Sequence, residues 1–135
     1  MDYKKGLSAA IKKEVSKNQN PIVDLVQKLF HSRDVMHLAH LKTTSYAAHV
    51  AIGDYYDAIL GFADDLLETA QGCEGKLFSL TIPTATVQDP LTHLKEMKEC
   101  VLGCREKLEY DFQKNMVDEI TALIAKTMYK LQFLK

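Results

Sequence analysis

Apolar side chains recur at intervals of three and four residues along most of the chain, which is the spacing of amphipathic helices. Asn20-Pro21 marks the start of the first long one, because an N-cap residue followed by proline at the first helical position is a typical helix start. The pattern predicts that this helix, A, runs to about Leu41. Its apolar series is Ile22, Leu25, Val26, Leu29 and Phe30.

A second helix, B, is predicted from about Tyr46 to Gly72. The polar stretch Lys42 to Ser45 offers hydroxyl groups as N-caps for it, and Gly72 is a candidate left-handed C-cap. Nothing in this stretch forbids a single continuous helix, so that alternative stays open. One face of helix B carries Ile52, Tyr56, Ile59, Ala63, Leu66 and Ala70. Further apolar residues widen this face, which indicates burial on two sides, one in its own bundle and one against a partner.

Residues 73–89 are predicted to form a long connection with one short turn around Leu77 to Ile82. Asp89-Pro90 repeats the cap-plus-proline pattern and begins helix C. The boundary between helices C and D is expected within residues 110–118, with Asp118 as a candidate cap. The apolar series are Leu94, Met97, Val101, Leu108 and Phe112 for helix C, and Val117, Ile120, Ile124, Met128, Leu131 and Leu134 for helix D. The prediction is an all-α four-helix bundle over residues 20–135 with a crossover between B and C.

Residues 1–19 are predicted to form a separate, short amphipathic helix with a local charge of +3. Leu7, Ile11 and Val15 supply its apolar stripe. Two interpretations remain open: an arm that binds nucleic acid, or a helix that docks its stripe on the domain with its lysines in solvent. The lysines are Lys4, Lys5, Lys12, Lys13 and Lys17.

Composition narrows the classes of function. A formal net charge of −1 argues against a surface devoted entirely to nucleic acid. No stretch is long and apolar enough for a membrane span, and no secretory leader is present, so we expect no membrane contact and a cytoplasmic location. Three cysteines without a CxxC pair predict no disulfide framework. Phosphate loops, nucleophile elbows and HExxH motifs are absent as well, which leaves histidine and carboxylate as the candidate chemistry.

Histidines are concentrated where helix A meets helix B. His31, His37, His40 and His49 fall close together in the sequence, and Asp64 and Glu68 follow on one face of helix B. Imidazole with carboxylate is a ligand set for non-haem iron, manganese or zinc.

The spacing of four of these residues resembles a known motif. His37, His49, Asp64 and Glu68 are separated by 12, 15 and 4 positions, and this run resembles the ferroxidase motif of the Dps family, the mini-ferritins of starved bacterial cells. The resemblance implies a ferritin-like bundle and oxidation of Fe(II) by peroxide or dioxygen. It also implies that His37, His49 and Asp64 bind a first non-haem iron while Glu68 bridges to or completes a second, with zinc or manganese as alternative metals.

Helix geometry places a condition on such a site. If His49 and Asp64 lie on one straight helix, 15 residues at 1.5 Å each separate them by about 22 Å, far beyond the reach of one metal ion. The carboxylates must then come from an antiparallel partner chain, so we expect at least a homodimer, or a larger shell. If helices A and B were continuous, His37 and His49 would themselves be about 18 Å apart and the site would be lost.

A second function from a different class remains open. A bundle of this fold could act without catalysis, as an interaction or ligand-binding protein, and the widened apolar face of helix B favours that alternative. Cys100 and Cys104 lie one turn apart on helix C and are predicted to be small core residues, with Cys73 in a loop.

Overall fold

A computed structural model describes residues 20–135, and all regular structure in this range is helical. The four helices are α1 (Pro21–Lys42), α2 (Tyr46–Glu74), α3 (Pro90–Glu106) and α4 (Asp111–Phe133). They correspond to the predicted helices A to D, so the four-helix prediction is confirmed. The predicted helix within residues 1–19 and its five lysines lie outside the described residues.

Side-chain caps begin three of the helices where the sequence predicts. The Asn20 side chain accepts a hydrogen bond from the backbone N–H of Ile22, and the Asp89 side chain accepts one from Thr92. Ser45 does the same for α2 through the N–H of Ala48. Each cap satisfies a backbone donor that the first helical turn leaves free. The hydrogen bonds from the N–H and hydroxyl of Thr92 also lower the pKa of Asp89.

The predicted end of helix B and the predicted cap of helix D are wrong. Helix α2 continues past Gly72 to Glu74, and its C-cap is Gly75, whose φ of 66° is the left-handed conformation that glycine adopts without strain. Helix α4 has its N-cap at Tyr110 and begins at Asp111, within the predicted range of 110–118, so Asp118 is inside α4, where it pairs with Arg105 at 2.6 Å. Phe112 accordingly belongs to α4. The predicted turn around Leu77 to Ile82 is absent, since that stretch has no regular structure.

The helices form a square in which α1 and α4 each neighbour both α2 and α3. Helix α3 runs antiparallel to α1, because His93 near its start contacts Ser32 while Cys104 near its end donates to the Pro21 carbonyl at 3.6 Å. Residues 75–89 therefore return along α1, where the Gln27 side chain accepts from the N–H of Thr81 at 2.8 Å. In chain order, α1 runs up, α2 runs down, residues 75–89 cross back, α3 runs down and α4 runs up.

The core is built from the apolar faces predicted by the helical period. On α2 the residues at 52, 59, 63, 66 and 70 are buried, and Tyr56 is half-buried. Phe62 and Leu67 are two of the further apolar residues that widen this face of α2. They pack against the same core, so part of the widened face is covered within the chain. On α4 the series is buried up to Ile124, whereas Leu134 lies beyond the helix end and is exposed.

A buried polar network joins three of the four helices in the middle of this core. The Ser32 hydroxyl lies 2.7 Å from the Tyr55 hydroxyl and 2.7 Å from Nε2 of His93. One hydroxyl can accept from one neighbour and donate to the other, and no buried side-chain nitrogen or oxygen of the described residues lacks a partner. Burial, together with the nearby His31, lowers the pKa of His93 to about 4, and burial raises that of Tyr55 to about 12. Both groups are therefore neutral at neutral pH.

Ser32→Ala should destabilise the bundle more than Tyr55→Phe. The first change leaves two buried polar groups, on Tyr55 and His93, without their shared partner, which costs about 2 to 4 kcal/mol. The second removes one hydrogen bond but keeps Ser32 bonded to His93, which costs about 1 kcal/mol. Urea denaturation of both variants measures the difference, and an equal or reversed order would contradict the network.

The stability of the protein should fall as the pH is lowered from about 6.5 to about 4. In this window the unfolded chain protonates His93 while the folded chain keeps it neutral, so unfolding takes up a proton. The cost reaches about 3 kcal/mol once the pH is below the folded-state value. Because carboxylates also titrate here, His93→Gln is the reference, and its unfolding free energy should decline less over the same window. Parallel profiles for the two proteins would contradict the prediction.

Candidate functional site

The turn between α1 and α2 decides where the predicted histidine ligands lie. Thr43 adopts an extended backbone conformation, with ψ at 145°, and so ends α1. Its hydroxyl accepts a hydrogen bond from the N–H of Ser45, the residue that caps α2. Three residues therefore reverse the chain, and the alternative of one continuous helix is excluded. His37 and His49 lie on opposite arms of one hairpin, as the metal-site hypothesis requires.

His49 is held by His40 rather than by His37. Nδ1 of His49 donates to the backbone carbonyl of His40 at 2.9 Å, and Nδ1 of His40 donates to the carbonyl of His49 at 2.7 Å. The two rings stack with centroids 3.6 Å apart. The His40 carbonyl lies in the last turn of α1, where carbonyls lack helical partners, so the exchange also closes the end of the hairpin.

Tyr56 connects His37 to this pair. Its ring lies 4.7 Å from that of His37 and meets that of His40 edge-on at 5.2 Å. The rings of His37 and His40 are 6.4 Å apart. Adding this to the stacking distance, His37 is at most about 10 Å from His49. The structure therefore places both predicted imidazole ligands at the turn end of the hairpin, with the His40 ring 6.4 Å from that of His37 and 3.6 Å from that of His49.

The two carboxylates are at the other end of α2. Because α2 is one uninterrupted helix, Asp64 lies about 22 Å along its axis from His49. Both Asp64 and Glu68 are exposed, and neither forms a hydrogen bond or ion pair with another residue in the described part of the chain. Asp64 is rotated from His49 by about 60° around the helix, so the two share one flank of the hairpin.

No single copy of the described residues assembles the predicted four-ligand site. Within residues 20–135, no three or more His, Cys, Asp or Glu side chains are placed to hold one metal ion together. This agrees with the distance argument from the sequence only in that His49 and Asp64 are too far apart to share an ion within one chain.

The sequence interpretation missed the role of His40 and the polar network. One available signal was Gly53, four residues after His49 in the middle of a helix. A Cβ atom there would lie 3.1 Å from Cε1 of His40, so glycine leaves the space that the His40 ring occupies. The other signal was the placement of Ser32 and Tyr55 among apolar core positions of α1 and α2, where a polar group needs a buried partner.

The cysteines of α3 lie beside a pocket of about 200 Å³ between α1 and α3. Cys104 is buried, as predicted, and burial raises its pKa to about 11, so it stays a thiol. Cys100 is only half-buried. Cys73 is exposed but sits in the last turn of α2 rather than in a loop.

An apolar groove of about 670 Å³ lies at the end of the bundle where α2 begins and α4 ends. Its walls include Tyr46, Val50, Phe133 and Leu134, which are all exposed, and Lys130 lies at its edge. The sequence interpretation anticipated unpartnered apolar surface on helix B but not this location.

None of the described helices combines the length and apolar character needed to cross a bilayer.

Comparison with known proteins gives one match. No curated protein and no solved structure matches the chain. A family of unknown function, DUF5856, matches residues 40–131, which include His40, His49, Asp64 and Glu68. Since this range is about two thirds of the chain, the protein belongs to the DUF5856 family.

Proposed function

We propose that this chain binds and oxidises Fe(II) in the manner of Dps-like proteins, at sites that two copies complete. His37 and His49 of one copy supply the imidazoles, and Asp64 and Glu68 of a second copy supply the carboxylates. The observation that carries the proposal is the hairpin itself, which gathers the imidazoles at one end and places on the same flank, towards the other end, two carboxylates that have no partner within the described residues.

The donor atoms present suit iron. Imidazole nitrogen and carboxylate oxygen are both ligands of Fe(II), and an imidazole binds a metal only through a nitrogen without a proton. Because Nδ1 of His49 donates to a carbonyl, its lone pair lies on Nε2 when the ring is neutral. Exposed carboxylates without a competing cation among residues 20–135 are free to meet a metal ion.

The connectivity of the bundle supports the finer, ferritin-like fold. Two antiparallel pairs, α1 with α2 and α3 with α4, are joined by one long crossover along α1. A single crossover of this kind distinguishes ferritin-like bundles from simple up-and-down bundles.

In a two-fold symmetric dimer, one kind of contact between the copies gives two metal sites. If the flanks of two hairpins pack antiparallel, the His49 end of each copy faces the Asp64 end of the other. The same contact occurs twice, so a dimer has two equivalent sites. The carboxylates favour oxidation, because negative charge beside the metal stabilises Fe(III) more than Fe(II). Each peroxide molecule accepts one electron from each of two Fe(II) ions and, with two protons, becomes two waters.

The proposal predicts complementation between two inactive variants. One variant carries His37→Ala with His49→Ala, and the other carries Asp64→Ala with Glu68→Ala. In a mixed pair, one site loses all four ligands and the other keeps all four. Equal co-expression should therefore restore about a quarter of the wild-type iron oxidation, since half of the pairs are mixed and each has one intact site. Ferric absorbance after peroxide addition to anaerobic Fe(II) measures this.

Asp65→Ala is the matched control for the carboxylate variants, because Asp65 is also exposed on α2 but is rotated around the helix by about 100° from Asp64 and about 160° from His49. It should oxidise iron as the wild type does. The proposal fails if the mixture is no more active than either variant alone. It fails equally if light scattering shows that the wild type is a monomer in the presence of Fe(II).

The groove favours a second candidate function, binding of an apolar ligand without catalysis. Its volume of about 670 Å³ lies in the range of small-molecule sites. The groove is open to solvent, because the four apolar residues in its walls are exposed. These residues are Tyr46, Val50, Phe133 and Leu134.

Under this second proposal, Val50→Lys should weaken binding of a fluorescent apolar dye, because a charge is placed against the apolar ligand. Leu60→Lys is the control, since Leu60 is 37% exposed and Val50 is 41% exposed on the same helix, but Leu60 lies outside the groove. Equal loss of dye binding in both variants would rule out the groove as the binding site.

A further inference from the structure

We infer that His40 is a positioning residue for His49, holding that imidazole in the tautomer and orientation that leave Nε2 free to bind metal. The identity of the metal rests on the proposed function. The tautomer does not, because it is a property of the metal-free chain, so the two can be tested separately.

The tautomer follows from the hydrogen bond. A backbone carbonyl only accepts, so the proton between Nδ1 of His49 and the carbonyl of His40 must be on the nitrogen. A neutral ring has one such proton, which leaves Nε2 with its lone pair. An imidazole free in water exchanges between both tautomers, so this fixed state has to be maintained by its surroundings.

His40 maintains it by covering the ring. The two imidazoles stack at 3.6 Å with an angle of 20° between their planes, so rotation of His49 away from the carbonyl would break the stack. His40 is itself anchored, since its own Nδ1 donates to the His49 carbonyl at 2.7 Å. The edge-on contact with Tyr56 limits its motion on another side.

Gly53 leaves the space that this arrangement needs. A Cβ at position 53 would lie 3.1 Å from Cε1 and 3.3 Å from Nδ1 of His40, closer than carbon atoms normally pack. Gly61 lies on the same helix, and a Cβ there would meet nothing within 4 Å. Alanine at either position gains the same helix propensity, but only Gly53→Ala requires the His40 ring to shift, by a few tenths of an ångström.

The first measurement is the nitrogen NMR spectrum of the histidines in the metal-free protein. At about pH 8, where ordinary histidines are neutral, the shifts of the two ring nitrogens report which one carries the proton. We expect His49 in the Nδ1–H form alone. His40→Ala and Gly53→Ala should convert it to a mixture of both forms, and Gly61→Ala should leave it unchanged.

The conservative variant separates the hydrogen bond from the stacking. In His40→Asn the side-chain amide nitrogen takes the place of Nδ1 and can donate to the His49 carbonyl, while the ring is lost. We expect this variant to lie between wild type and His40→Ala in the fraction of His49 held as Nδ1–H.

The second measurement is the affinity for Co(II), used as a spectroscopic probe for Fe(II). Residues that orient a metal-binding histidine typically contribute 10- to 100-fold to metal affinity. We therefore expect His40→Ala and Gly53→Ala to bind Co(II) roughly 10-fold more weakly or worse, and Gly61→Ala to bind as the wild type does. Circular dichroism of each variant establishes that the helices are retained.

The outcomes distinguish the two proposals. If His49 is a tautomer mixture in the wild type, or stays Nδ1–H in His40→Ala, the positioning role is overturned. The same holds if the tautomer changes but the Co(II) affinity does not. If the wild type binds no Co(II) while the tautomer responds to His40 as expected, the proposed iron site is overturned and His40 still positions His49.

Discussion

The unbroken length of α2 is the constraint on which the rest of the molecule depends. Its 29 residues span about 43 Å, so whatever lies in its first turns is far from whatever lies in its last. The three-residue turn before it folds α1 back along its side and collects histidines at one end. The carboxylates on the same flank are left at a distance that no side chain bridges. The site geometry thus follows from helix continuity more than from local chemistry.

Two sets of polar contacts, one in the core and one at the α1/α2 turn, fix the register of the helices. Apolar faces alone tolerate sliding of one helix along another, because the hydrophobic effect has little directionality. The Ser32 hydroxyl must reach Tyr55 and His93 at once, which sets the register of α2 and α3 against α1. The exchange between His40 and His49 sets the same α1/α2 register again at the turn. Each contact makes the other easier to form.

The sequence was most informative where a signal is local. Asn20-Pro21 and Asp89-Pro90 located two helix starts correctly, because cap and proline act within one turn. The start of α4 was located only to within residues 110–118, since its N-cap, Tyr110, makes no side-chain cap hydrogen bond. In the site, the separation of Asp64 from His49 followed from helix geometry, whereas the hairpin was one of two alternatives that the sequence left open. The role of His40 was missed because its partners are backbone carbonyls, which every residue has, so that Gly53 was the available local signal for it.

A site divided between two copies links metal binding to association. In the proposed arrangement one chain supplies two imidazoles to each site and the other chain supplies two carboxylates. A metal ion therefore binds the dimer more tightly than it binds either chain alone. By thermodynamic linkage, dimerisation then raises the affinity for iron by the same factor that iron raises the affinity between copies. In that arrangement Asp64 and Glu68 contribute to both effects. Without a cation their negative charges add repulsion at the interface, and bound iron replaces this repulsion with attraction. In the proposed arrangement the carboxylates would therefore control assembly as well as oxidation.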